Sequence, residues 1–188
     1  MRVDVSHDAS PHDDVLVVSW GSSDATSRRL NLREDPTALD GIEDVRRRPH
    51  LRSFLAAVNG ADSVFASVRC RAGQSDVTIP DSFEFSSSLD LVFADVDFNL
   101  DRNFALDSAN RFAELLACDP SADFLSAAVR VRPCFFRAHD RPGFALNLSL
   151  RARGATPEQA ELRWGFGLAR IQQALLFLSR VVRHHLQK

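Results

Sequence analysis

Hydrophobic positions along this chain switch between a period of two and a period near 3.6, and each switch marks an element. Val15–Trp20 is an apolar run, residues 21–27 are a turn cluster, and Arg29–Arg33 alternates Leu30 and Leu32 with polar residues. That pattern predicts a first hairpin. Leu51, Phe54, Leu55 and Val58 then fall at i, i+3, i+4 and i+7, behind Pro49 and ahead of Asn59-Gly60. This spacing predicts a short helix with proline in its first turn and a left-handed glycine stop.

Val64–Arg71 reads as a strand with Val64, Ala66, Val68 and Cys70 on one side and Ser67, Arg69 and Arg71 on the other. A loop at 73–80 follows, then a long strand-like run from Phe85 to Phe98 that sets Val92, Ala94, Val96 and Phe98 opposite Asp95 and Asp97. Asp101 or Asn103 caps a helix to about Cys118, with Ala105, Ala109, Phe112, Leu115 and Leu116 inward. Ala127–Ala138 and Phe144–Arg153 form the clearest hairpin. Pairing 138 with 143 places Val131, Phe135, Leu146, Leu148 and Leu150 on its buried face.

Thr156-Pro-Glu-Gln159 is a capping box, after which Trp164, Leu168, Ile171, Leu175, Leu178 and Val182 recur at four- and three-residue steps. This predicts a helix of about 30 residues, roughly 45 Å long. Leu162, Trp164, Phe166 and Leu168 also alternate, so a strand over 161–168 competes. The elements predict a two-layer α+β sandwich, an antiparallel sheet in ββα, ββα, ββα order with helices on one face. Residues 1–13, polar and acidic, read as a flexible N-terminal segment, and 14–188 as a single domain.

Charge sharpens the sheet. Arg69/Arg71, Arg130/Arg132 and Arg151/Arg153 are Arg-x-Arg pairs inside apolar runs, so each pair shares one strand face. The expected site is an arginine face built by these six residues, with Phe136 placed to stack on a ligand. Such a face would take an acidic protein segment or polyanion, with nucleic acid as a further reading. Net charge is only −2, in blocks of −6 (1–44), +5 (45–71), −9 (72–125) and +8 (126–188), which favours internal complementarity over one outside partner. Lys188 is the only lysine among 23 basic residues, a bias expected from GC-rich bacterial coding.

Catalytic chemistry finds no motif. Three cysteines lack a Cys-x-x-Cys spacing, and Gly165-x-Gly167 lacks the third glycine of a dinucleotide loop. A small enzyme using His139, Asp140 or Cys134 in a pocket between sheet and helices is the alternative. Asp95 and Asp97 are the metal candidates of an imperfect calcium-loop pattern, which has Leu100 where a glycine is needed, so neither metal nor cofactor is expected. His7-Asp8 and His12-Asp13-Asp14 supply ligand types in a segment without an apolar anchor. On the terminal helix, Leu176, Phe177 and Val181 widen the apolar zone, which points to a homodimer seam through Leu168, Ile171, Leu175, Leu178 and Val182. With no apolar run near 18 residues and no signal-peptide core, the expected setting is the cytoplasm, away from membranes.

Overall fold

The computed structural model describes residues 1–6, 15–19, 31–75, 82–117 and 123–186. Six strands join one sheet: β1 (Arg2–Ser6), β2 (Leu16–Val18), β3 (Phe65–Gln74), β4 (Phe83–Phe93), β5 (Leu125–Phe136) and β6 (Arg141–Gly154). The helices are α1 (Glu43–Arg47), α2 (Pro49–Asn59), α3 (Asp97–Leu100), α4 (Arg102–Ala117) and α5 (Pro157–Leu186). Strand order is β1-β5-β6-β4-β3, with β2 also on β5.

The sheet is mixed, not purely antiparallel. β3–β4, β4–β6 and β5–β6 are antiparallel, but β1 and β2 both run parallel to β5, beside residues 126–130 and 134–136. Among the described residues the expected first hairpin is not seen, and Leu16–Val18 pairs with β5. The hairpin's return leg at Arg29-Leu30 lies outside the described residues, and Leu32–Glu34 is a turn. The N-terminal segment is also not wholly irregular, because Val3 and Val5 alternate with polar residues and pack on the core from β1, while 7–13 lie outside the described residues.

The β5–β6 hairpin forms, with Val131 opposite Leu146 and Phe135 opposite Pro142 instead of the looser pairing expected. The chain turns earlier, through a 3-10 turn at Arg137–His139 and a left-handed Asp140 (φ 51°). Because the difference in register is even, every side chain but those near the turn keeps its face. β3 departs more sharply. A bulge between Ser67 and Arg69 makes the strand change parity, so Phe65, Ser67, Cys70 and Ala72 face the core side while Ala66, Arg69 and Arg71 face away.

α5 is continuous across 161–168, which settles the helix–strand competition. Its capping box closes as Gln159 N–H donates to Thr156 Oγ1 (3.2 Å) and Ala155 N–H to Gln159 Oε1 (2.7 Å). α5 lies along β6 and β4 between α2 and α4. Trp164 is fully buried at their centre, its ring 4.7 Å from Phe85 and its Nε1 donating to Ser87 Oγ at 2.9 Å. Gly165 is what lets α2 approach, since a Cβ there would sit 2.5 Å from the His50 ring. Leu168, Ile171, Leu175, Leu178 and Val182 all belong to this core. They cannot form a dimer seam, because the chain's own sheet and helices already cover them. The stop at Gly60 is extended (φ −72°), not left-handed.

Candidate anion-binding face

Helices cover one side of the sheet, and the antiparallel register sorts polar residues onto the other. Reading across β5, β6, β4 and β3, one row is Arg130, Asn147, Asp90 and Arg69. The next is Ala128, Ser149, Ser88 and Arg71, and the third is Ser126, Arg151, Ser86 and Gly73. Arg153 sits opposite Glu84, and Arg132 opposite Ala145. All six arginines singled out in the sequence thus share one face.

They are not equivalent. Asp90, 2% exposed, accepts from Arg69 Nε at 2.9 Å and Asn147 Nδ2 at 2.8 Å, with Arg132 Nη1 at 3.5 Å. A buried carboxylate is tolerable only with such a set of charged and neutral donors. Glu84, 4% exposed, pairs with Arg153 Nε at 3.5 Å. Two buried acids therefore offset Arg69, Arg132 and Arg153. At the sheet edge Asp4 pairs with Arg2 at 3.6 Å. Arg71 and Arg151 are exposed and make no ion pair or side-chain hydrogen bond among the described residues. Between them lies a shallow groove of about 280 Å³ lined by Gly73, Ser86, Ser88 and Ser149. Asn147 Nδ2 donates to Ser88 Oγ at 3.0 Å and so bridges the groove to the Asp90 network.

Other expected participants lie elsewhere. Phe136 is buried with Leu16, Val18, Ala66, Val92, Cys134 and Ala145 in a second apolar cluster, so its ring is not open to stack a ligand. Residues 16–18 supply that cover by pairing with β5. Asp95 and Asp97 are not on a strand facing the arginines: β4 ends at Phe93, and Asp95 Oδ1 accepts from Asp97 N–H (3.1 Å) in the turn that opens α3. Among the described residues no cluster of three His, Cys, Asp or Glu side chains is arranged to hold a metal. His7, His12 and their acidic neighbours, like Cys118, lie outside the described residues.

Burial is the main cause that pushes the Cys70 and Cys134 thiols up to about 12, so neither is a ready nucleophile at neutral pH. Cys70 borders a pocket of about 350 Å³ between β3 and the segment from Leu32 to Leu55, lined mostly by hydrocarbon. His139 lines a small cavity of about 70 Å³ shared with Val18, Phe93 and Phe136, and Asp140 is given over to the turn.

Sequence reasoning missed the acids and hydroxyls that β4 brings to the face. Glu84, Ser86, Ser88 and Asp90 occupy every second position of β4, an alternation that was there to be found. Compared with known proteins, the chain matches no family model, no curated protein and no solved structure. Among the described residues no helix is long and apolar enough to cross a membrane.

Proposed function

We propose that this is a non-enzymatic binding or accessory protein that engages an acidic protein segment through its arginine-bearing sheet face. The observation that carries the reading is the contrast within that face. Acids buried in the sheet offset three of the six arginines, whereas Arg71 and Arg151 stand exposed beside a groove of serines. Guanidiniums left over after internal pairing are the ones able to gain a partner at little desolvation cost. The free thiols of Cys70 and Cys134 accord with a reducing, cytoplasmic setting. The enzyme alternative has less support, because its cysteine is buried and protonated and its histidine borders only a small cavity.

Anisotropy of a fluorescent glutamate-rich peptide provides the test. Binding should weaken with added salt and fall at least about a hundredfold in the Arg71→Ala/Arg151→Ala variant, each charged hydrogen-bonding group being worth about 1.5–3 kcal/mol. Undiminished binding by that variant rejects the reading. Tighter binding of a single-stranded RNA of equal charge would reject it in favour of nucleic acid.

A further inference from the structure

The groove between Arg71 and Arg151 has a donor arrangement more specific than general attraction to acids. Arg71 stands on β3 and Arg151 on β6, with β4 between them and a two-residue offset along it. Strand spacing near 4.8 Å and a rise near 3.4 Å per residue put their α-carbons about 12 Å apart. Two arginine side chains leaning toward each other over β4 can close on a single group across that span. Beneath that point the floor is made of Ser86, Ser88 and Ser149, short side chains that leave depth and supply hydroxyls. Ser88 Oγ already accepts from Asn147, which leaves its own hydrogen to donate elsewhere. No carboxylate lines the groove among the described residues. The carboxylates that flank it along β4 are already held, Glu84 by Arg153 and Asp90 by Arg69 and Asn147.

These donors come from three directions: a guanidinium on each side and hydroxyls from below. A carboxylate carries one charge and two oxygens whose lone pairs lie in a single plane, so it cannot meet two forks from opposite sides and a hydroxyl floor all in good geometry. A phosphate monoester carries close to two charges and three terminal oxygens that point apart, matching two forks and a hydroxyl floor together. We infer that the groove between Arg71 and Arg151, floored by Ser86, Ser88 and Ser149, is a binding site for a phosphorylated side chain within an acidic protein segment. This inference rests on the reading of the face as a binding surface and names the chemistry it selects.

Three peptides of identical acidic sequence, carrying phosphoserine, glutamate or serine at one central position, separate the two claims by titration calorimetry. The phosphoserine peptide should bind at least about tenfold more tightly than the glutamate peptide, since each additional charged hydrogen bond is worth 1.5 kcal/mol or more. Arg71→Ala and Arg151→Ala should each remove that preference. Arg130→Ala, on the same face but outside the groove, should weaken both peptides in proportion and leave their ratio intact. All three arginines are exposed, and circular dichroism of each variant checks that the fold is retained. Equal affinity for the phosphoserine and glutamate peptides overturns the phosphate site while leaving the binding surface standing. So does loss of the preference in Arg130→Ala. Failure of every peptide to bind overturns both.

Discussion

Asn99 shows how one side chain finishes a strand. It has no solvent exposure, and its amide copies a backbone partner for Phe93: Phe93 N–H donates to Oδ1 at 2.8 Å, and Nδ2 donates to Phe93 O at 2.8 Å and Asp95 O at 3.0 Å. Replacing it with alanine orphans buried groups at the end of β4. Asn99→Ala should lower the unfolding free energy by about 2–4 kcal/mol, each unsatisfied buried group costing roughly 1–3 kcal/mol, as read from the urea midpoint at unchanged slope. A loss within a few tenths of a kcal/mol of zero would mean that water replaces the amide. In the sequence this residue was indistinguishable from its neighbours. Asp95, Asp97, Asn99 and Asp101 sit at every second position and read as the polar side of a longer strand. The preference of Asp and Asn for closing turns onto the backbone overrides that alternation.

At the scale of elements, the junction of β6 and α5 is tightly specified. Gly154 is buried, and a Cβ on it would lie 2.5 Å from Ala160 N and 2.9 Å from Gln159 C, backbone atoms of the first helical turn. Gly154→Ala should cost about 1–3 kcal/mol through this overpacking, and Thr156→Ala about 1 kcal/mol through the lost cap. Thermal unfolding of both single variants and the double should show a sum that fails to add, since the two sites share one turn. Additive losses would separate the cap from the close approach. The cap itself was legible because its signature is local, four residues long and chemically explicit. The parity of β3 was not. The alternation of Val64, Ala66, Val68 and Cys70 looks regular, yet Phe65 and Ser67 face the main core before the bulge and the half-buried Cys70 after it. Phe65 is fully buried, 4.9 Å from Phe93, and Ser67 exchanges hydrogen bonds with the buried Asn59 side chain. Those long-range demands outrank the local pattern.

For the whole molecule, the sequence disclosed which sides of the sheet are apolar and cationic, because side-chain parity is carried residue by residue. It did not disclose that β1 and β2 run parallel to β5, since that pairing depends on residues more than 100 positions away. The two-sided burial has a titration consequence. Cys70 packs against the main core and Cys134 in the second apolar cluster, and burial raises both thiols to about 12 from an ordinary 9. Folded protein therefore holds these protons where unfolded chain releases them. Their contribution to stability is whole below pH 9 and declines as pH climbs toward 12. Melting temperature should fall more steeply over that interval in the native sequence than in Cys70→Ala/Cys134→Ala, measured relative to each protein at pH 7. Parallel curves would place the alkaline loss on other groups.

The pairing of Arg2 with Ser126 also sets a timetable. On the ribosome, the first strand emerges long before the partner that accepts its hydrogen bonds, a delay of roughly 6–25 s at 5–20 residues per second. Until then the nascent chain carries an unclaimed ribbon. Once the rest of the layer exists, that ribbon and β2 become its selvage, sealing the flank of β5 against sideways growth into neighbouring molecules.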